Sequence, residues 1–212
     1  MELKEKALAA VSALAARYPA AECSLSYGGE PFRLFVMAVL SAQCTDERVN
    51  AVSVPLFAAF PTAAAMAAAP EGALEAIIRP VGLYKTKAKN LRATCARLVE
   101  VYGGEIPREM ADLLSLAGVG RKVANLLRGD LYGLGGIVAD THCIRISNRL
   151  GLADTQNPHG VEKALDVLVP KEEQSDFCHR LVLFGREICS ARRPLCGECP
   201  MAGFCSQCQG DR

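Results

Sequence analysis

The sequence predicts an all-α fold, because apolar residues recur at helical spacing along most of its 212 residues. Prolines and glycines divide this pattern into segments of ordinary helix length, since proline interrupts a helix and glycine readily ends one. Only residues 136–138, Gly-Ile-Val, look extended, and so short a segment cannot form a sheet without a partner. The composition, 50% hydrophobic and 22% charged, is that of a globular chain. No apolar run reaches the roughly 18 residues of a membrane span.

The first three helices follow from the apolar pattern and from residues that suit helix ends. Residues 3–18 carry apolar side chains at helical spacing, and a proline then ends the pattern. Pro31 opens the second helix, because the first helical turn does not need the N–H that proline lacks. Thr45 is a suitable N-cap for the third helix, which Pro55 is predicted to interrupt.

The rest of the chain predicts further helices of the same kind. An alanine-rich segment between two prolines favours a helix, and a longer amphipathic stretch ends at a pair of glycines. A Gly-Val-Gly turn separates two short helices in the middle of the chain. The predicted helices are residues 62–69, 84–102, 112–116, 121–128, 141–150, 159–168 and 173–189.

The formal net charge of +1 excludes a uniformly basic nucleic-acid binder, but it hides a segregation of charge. Six basic residues and no acidic one lie between residues 76 and 99. Lys85, Lys89 and Arg92 fall on one helical face at i, i+4 and i+7. This face is either a solvated helix surface or part of a stripe that faces a nucleic acid.

The state expected of the ten cysteines depends on whether the protein is exported or stays in the cytoplasm. The small apolar stretch at residues 7–16 could be mistaken for an export signal, but Glu2 and Glu5 precede it, whereas a signal peptide begins with net positive charge. We therefore expect no signal peptide and a cytoplasmic protein with reduced thiols. Structural disulfides then account poorly for the cysteines, so some are expected to be buried hydrophobic residues and others metal ligands.

Four cysteines near the C-terminus, with x6, x2 and x5 spacing, are candidate metal ligands. Four thiolates on a loop rich in proline and glycine suit either zinc or an iron–sulfur cluster. A zinc site could pair Cys196 and Cys199 with Cys205 and Cys208, but the five residues between the pairs are few for a zinc ribbon, and Cys189 would be left over. The spacing therefore favours a cluster held by Cys189, Cys196, Cys199 and Cys205. With four protein ligands either site would be closed, and so structural.

The Gly118-Val119-Gly120 turn, followed by Arg121 and Lys122, is a candidate anion site. Backbone N–H groups at the start of a helix bind phosphate, and glycines let the backbone approach it closely. The alternative is an ordinary helix connection with a glycine cap. Lys122 is either a solvated lysine that contacts phosphate or an amine nucleophile that forms a Schiff base with a carbonyl-like carbon.

Asp140 and His142 open the predicted helix over residues 141–150. Asp140 is either a helix N-cap or a carboxylate that stabilises a positively charged transition state, and the sequence alone leaves both open. His142 is more often a structural histidine than a catalytic one.

Taken together, these motifs make the chain resemble endonuclease III, the iron–sulfur, helix-hairpin-helix DNA glycosylase/AP lyase of base excision repair. The resemblance extends over nearly the whole chain and is specific as a combination, although Ala117 stands where the family commonly has proline. The matching stretches are residues 41–46 (SAQCTD), 81–85 (VGLYK), 116–125 (LAGVGRKVAN), 138–142 (VADTH) and the four spaced cysteines.

The resemblance implies two helical lobes. One would be a six-helix lobe over residues 23–134, with a helix-hairpin-helix motif at about 111–129. The other would combine residues 1–22 with residues 135–212 and would carry a [4Fe–4S] cluster. Catalytic residues from the two lobes would face each other across a cleft. The expected protein is a monomer without a membrane anchor, working on the bacterial or archaeal nucleoid.

The resemblance also implies a reaction on duplex DNA that contains damaged pyrimidines or abasic sites. An oxidised or ring-saturated pyrimidine is flipped out of the helix, because its sugar carbon cannot be reached in the stack. Lys122 attacks that carbon, Asp140 stabilises the cationic sugar, and β-elimination from the Schiff base nicks the strand. The implied DNA-binding residues are Gln43, Leu83, Lys85, Lys89, Gly118, Val119, Gly120, Arg121 and His142.

Two other functions compete with this one. A monofunctional glycosylase that removes adenine opposite oxidised guanine would share the hairpin, the aspartate and the cluster, but such enzymes lack the lysine. A non-catalytic iron–sulfur or DNA-binding protein would need no pairing of Lys122 with Asp140.

Overall fold

The computed structural model describes residues 1–210, and all of its regular secondary structure is helical, which confirms the predicted all-α class. No helix in this range is both long and apolar enough to cross a membrane. Three short 3₁₀ helices also occur in this range, and one of them, Arg79–Val81, lies between α5 and α6. The α-helices are α1 Leu3–Arg17, α2 Pro31–Leu40, α3 Asp46–Ala59, α4 Ala63–Ala67, α5 Ala73–Ile78, α6 Tyr84–Tyr102, α7 Met110–Leu114, α8 Arg121–Tyr132, α9 Thr141–Leu150, α10 Pro158–Asp166, α11 Gln174–Glu187 and α12 Ser206–Gly210.

The chain forms two compact units. One is the continuous segment Ser24–Leu131, and the other combines Met1–Cys23 with Tyr132–Arg212. We call them the continuous unit and the discontinuous unit. Each has its own apolar core, as expected of a domain that could fold by itself.

The continuous unit is built around α6, which packs against α2, α4 and α5. Its apolar positions at i, i+4 and i+7 supply the buried residues Leu91, Cys95 and Leu98. Helix α2 is buried along residues 34–40, because an uninterrupted apolar run leaves no polar face for solvent.

The discontinuous unit brings the N-terminal helix onto the C-terminal half of the chain. Helix α11 packs against α1 and α9, and α12 packs against α9. The core between them contains Leu14 from α1, Ile146 from α9 and Phe177, Leu181 and Phe184 from α11. Helices far apart in sequence therefore form one core.

The prediction that Pro55 interrupts the third helix is wrong, because α3 runs through it from Asp46 to Ala59. An interior proline costs about 3 kcal/mol. Burial of a side chain such as Val49, Val52 or Leu56 contributes about 1.5–3 kcal/mol each, and all three lie on one face of this helix. Packing on both sides of the proline thus exceeds its cost. Thr45 caps the helix as expected, accepting a hydrogen bond from the Arg48 N–H.

Candidate functional site

Helices α7 and α8 form the expected hairpin, and its turn requires glycine at position 118. Gly118 has φ of 83°, in the left-handed region that side chains disfavour. A Cβ atom there would lie 3.1 Å from Asn90 Nδ2 and 3.3 Å from Val39 Cγ1. Backbone conformation and limited space therefore both disfavour a larger residue.

Helix α6 holds this turn through a hydrogen bond from Thr94. The Thr94 hydroxyl donates a 2.8 Å hydrogen bond to the carbonyl of Ala117. Thr94 is buried, so this bond is shielded from competing water. The contact fixes the position at which the family commonly has the stiffer proline.

Within the turn the three residues have different roles. The Val119 side chain is buried, and its N–H donates to the carbonyl of Leu116, so this amide belongs to the turn itself. Helix α8 begins directly afterwards, and the first turn of any helix has N–H groups without intrahelical partners. Arg121 and Lys122 are exposed on that first turn. A phosphate group would thus be met by the N–H groups at the start of α8, beside the turn that contains Val119.

Gln43 and Leu83 share an unusual backbone conformation. They are the two non-glycine residues with left-handed φ in residues 1–210, at 53° and 46°. This conformation costs roughly 1–2 kcal/mol at each position. The Leu83 side chain is 60% exposed, and Gln43 is also exposed. Because strained, solvent-exposed side chains gather at functional sites, we call these two residues the tips and treat them as candidate contacts.

Asp140 is the N-cap of α9, and this cap engages one oxygen of its carboxylate. Oδ1 accepts a 2.7 Å hydrogen bond from the Cys143 N–H. Oδ2 accepts no hydrogen bond within the described range, and the residue is half-buried. The cap and a chemical role are therefore compatible, because the cap orients the carboxylate and leaves its second oxygen available.

His142 lies in a polar network of the discontinuous unit. Arg145 Nη2 is 3.2 Å from His142 Nδ1, and since arginine can only donate, Nδ1 is the acceptor. Arg145 also donates to the carbonyls of Gly185 and Cys189. A Cβ on Gly185 would lie 2.3 Å from Nδ1, so glycine at this position makes room for the imidazole. The structure thus ties His142 to the loop that begins at Cys189.

The basic face predicted on α6 is smaller than its spacing suggested. Lys85 and Lys89 are exposed. Arg92 instead forms an ion pair with Glu75, with two hydrogen bonds of 3.0 and 2.7 Å, and also donates to the Ala69 carbonyl. The expectation that Arg92 belongs to an exposed face is therefore wrong, because its guanidinium stabilises the packing of α6 against α5.

The four spaced cysteines of the segment 189–205, which we call the cysteine loop, line one cavity in the discontinuous unit. The other lining side chains include the apolar Ile188, Pro194 and Leu195. Burial raises the pKa of the Cys199 thiol, and the neighbouring thiols of Cys205, Cys189 and Cys196 raise it further. Arg149 donates a 3.3 Å hydrogen bond to Cys189 Sγ and brings positive charge to the cavity. A thiolate-bound cofactor with net negative charge fits this donor set.

Cys208, which the favoured set of four ligands leaves out, lines the same cavity from α12. Burial raises the pKa of its thiol to about 12, and contact with the thiols of Cys196 and Cys205 adds to this shift. The spacing of three residues between Cys205 and Cys208, which the zinc alternative used, is the sign of this in the sequence.

Comparison with known proteins agrees with these features. Residues 36–171 match the model of the HhH-GPD superfamily of base excision DNA repair proteins. Residues 189–205 match the iron–sulfur binding domain of endonuclease III. The chain is 42% identical over 207 residues to endonuclease III of Synechocystis sp., covering 97% of this chain and 94% of that protein. It is 39% identical to the Escherichia coli K12 enzyme, covering 89% and 88%. The chain belongs to the endonuclease III family.

Solved structures of this family have the same fold. A non-covalent endonuclease III–DNA complex superimposes with a TM-score of 0.91 at 40% identity, covering 100% of this chain and 99% of that one. A trapped covalent endonuclease III–DNA intermediate matches equally well. The matched iron–sulfur domain spans all four spaced cysteines, so the cofactor of this family member is a [4Fe–4S] cluster.

Proposed function

We propose that this endonuclease III family member is a bifunctional DNA glycosylase and AP lyase, which excises oxidised or ring-saturated pyrimidines from duplex DNA. The observation that carries the proposal is an exposed lysine, Lys122, on the first turn of α8 in a helical hairpin. An amine beside a phosphate-binding helix start would lie close to the sugar of a bound strand. The match to a trapped covalent DNA intermediate supports a reaction in which enzyme and DNA become bonded.

Lys122 supplies the nucleophile. Its neutral amine attacks C1′ of the flipped nucleotide while the bond between that carbon and the base breaks, and the base departs with a proton. The ammonium so formed loses a proton, and the C1′–O4′ bond then breaks as O4′ takes up a proton, which opens the sugar ring and gives a Schiff base. The Schiff base acidifies the C2′ proton, whose removal expels the 3′ phosphate and nicks the strand. Water then hydrolyses the Schiff base and regenerates the amine.

Asp140 supports the first of these steps. Positive charge develops on the sugar as the base leaves, and a carboxylate oxygen close to that charge stabilises it. Oδ1 is held by the Cys143 N–H, so Oδ2 is the oxygen that we assign to this role. The same oxygen is the acceptor that we assign to the proton lost from Lys122.

Contacts with DNA come from the hairpin and the tips. Gly118 permits the close approach of the backbone, while Gly120, Arg121 and the start of α8 bind a phosphate. Lys85 and Lys89 add sequence-independent attraction to the backbone. We assign Leu83 to wedging apart the base pair at the lesion and Gln43 to the gap left by the flipped nucleotide. His142 supports the region around Asp140.

The cluster has a structural role in this proposal. Cys189, Cys196, Cys199 and Cys205 would hold it, which leaves no open coordination position for substrate. When bound, it would cross-link the residues of this loop. None of the ten cysteines, all of which lie in the described range, forms a disulfide. We place the enzyme in the cytoplasm as a monomer.

Borohydride trapping tests the proposal most directly. Borohydride reduces a Schiff base to a stable amine, so the wild-type protein is expected to form a covalent adduct with abasic-site DNA. Lys122→Ala should form none, and the exposed Lys163→Ala serves as the matched control. Adduct formation by Lys122→Ala at the wild-type rate would exclude Lys122 as the nucleophile. Excision by the wild type without any adduct would indicate a monofunctional glycosylase.

A further inference from the structure

Lys87 is a buried lysine for which the proposed chemistry has no use. It lies on α6 in the continuous unit and is only 5% exposed. Its ammonium donates two hydrogen bonds of 2.9 Å, one to the carbonyl of Leu40 and one to the carbonyl of Val81. A side chain from one helix therefore connects two other segments, at Leu40 and at Val81, that are far apart in sequence.

Both acceptors are the last residues of helices. Leu40 ends α2, and Val81 ends the 3₁₀ helix Arg79–Val81. Terminal carbonyls lack intrahelical partners and carry the negative end of the helix dipole, so a cation stabilises them. Burial lowers the pKa of the Lys87 amine, which reflects the cost of removing its charge from water. The two carbonyls offset that cost.

Each of these helix ends leads directly to one of the tips. Gln43 follows Leu40 by three residues, and Leu83 follows Val81 by two. Elsewhere in residues 1–210, left-handed φ is confined to glycines. The ammonium of Lys87 thus anchors the base of both strained turns. Packing alone would not require a cation, because the neighbouring buried residues Ala88 and Leu91 on the same helix are apolar.

We propose that Lys87 is a positioning residue that holds the two tips as one unit, so that Gln43 and Leu83 enter the duplex together. The inference rests on the proposed function, since it assumes that the tips contact DNA at a flipped nucleotide. Lys87 acts through the backbone carbonyls of Leu40 and Val81 and touches no substrate atom.

The main test compares Lys87→Met with wild type, using the full-length, cluster-loaded protein. Methionine keeps the length and the apolar stem but removes the charge and the donors. Hydrogen–deuterium exchange should rise in residues 41–45 and 81–85 together, while the hairpin at 113–125 stays protected. Preference for a duplex with a tetrahydrofuran abasic analogue over an undamaged duplex should fall about tenfold, which corresponds to about 1.4 kcal/mol. Lys163→Met, an exposed lysine in the other unit, should change neither quantity.

Unchanged exchange and unchanged preference in a folded Lys87→Met protein would overturn the proposal. It would also be overturned if exchange rose across the whole continuous unit, because Lys87 would then be a general stabilising residue. If the wild type shows no preference for the abasic analogue, the proposed function fails, while the exchange measurement still decides whether Lys87 couples the tips.

A second test leaves Lys87 in place and covers the case in which Lys87→Met does not fold. Gln43→Ala and Leu83→Ala are measured singly and together for their preference for the abasic analogue. Tips held as one unit should act together, so the double variant should lose less than the product of the two single losses. Independent, multiplicative losses would overturn the proposal.

Discussion

Replacing Gly118 in the hairpin turn by alanine should destabilise the continuous unit through two separable effects. The first is the left-handed backbone, which costs alanine roughly 1–2 kcal/mol. The second is the new methyl group, which would lie 3.1 Å from Asn90 Nδ2 and 3.3 Å from Val39 Cγ1. Overpacking of this kind costs about 1–3 kcal/mol. We therefore expect Gly118→Ala to lower the free energy of unfolding by about 2–5 kcal/mol.

Gly103→Ala provides a matched control in the same unit. Gly103 also has left-handed φ, at 62°, but no atom lies within 4 Å of the position that its Cβ would take. It should therefore show only the backbone cost of roughly 1–2 kcal/mol. The difference between the unfolding free energies of the two variants reports the cost of packing a methyl group against Asn90 of α6 and Val39 of α2.

The assay is equilibrium urea unfolding of the cluster-loaded proteins, followed by far-ultraviolet circular dichroism. Binding to an undamaged duplex should weaken in Gly118→Ala and stay unchanged in Gly103→Ala, since only the former turn is assigned to phosphate binding. An unfolding free energy for Gly118→Ala equal to or above that of Gly103→Ala would refute the packing argument.

Three further predictions follow from single contacts. Asp140→Asn should keep the N-cap, because asparagine caps a helix as well as aspartate does. The variant should therefore melt like wild type but lose most base excision in single-turnover assays. If thermal stability fell together with excision, Asp140 would be only a cap. The hydrogen bond from Arg92 lowers the pKa of Glu75, so the stability that this pair contributes is present above the unfolded-state pKa and is lost as pH falls through the lower folded-state pKa. Glu75→Gln should therefore show a smaller loss of unfolding free energy between about pH 6 and pH 3 in acid titrations, and a loss equal to wild type would contradict this. Cys205→Ser should lose the iron and sulfide measured in the anaerobically purified protein, whereas Cys208→Ser should retain both; stoichiometric zinc in the wild type would exclude the cluster.

Local sequence patterns predicted most of the helices well. Helices α6 and α9 begin and end where the apolar spacing, the glycine pair and Asp140 indicated, because those signals act within a few residues. Helix α5 was missed, since its six residues are too few to show a helical period. Helix α12, also short, was missed for the same reason.

The sequence predicted which residues belong to the candidate site better than it predicted what surrounds each of them. The spacing of Cys189, Cys196, Cys199 and Cys205 indicated a shared ligand set, and all four line one cavity. The spacing on α6 could not show that Arg92 is paired with Glu75, because that pair joins residues seventeen positions apart. The sequence could not show that Val119 is buried either, because the side chain of a turn residue can point toward the core or toward solvent.

The sequence by itself determined the all-α class, the hairpin with Lys122 on its second helix, and the cysteine spacing that is typical of an iron–sulfur site. These features depend on residues close together in the chain, where backbone geometry fixes the spacing of side chains. Only the tertiary structure decided that Lys87 is buried and donates hydrogen bonds to the carbonyls of Leu40 and Val81. Lys89, two residues later on the same helix, is exposed. The physical reason is that a helix turns by about 100° per residue, so the partner of each side chain depends on what packs against that face.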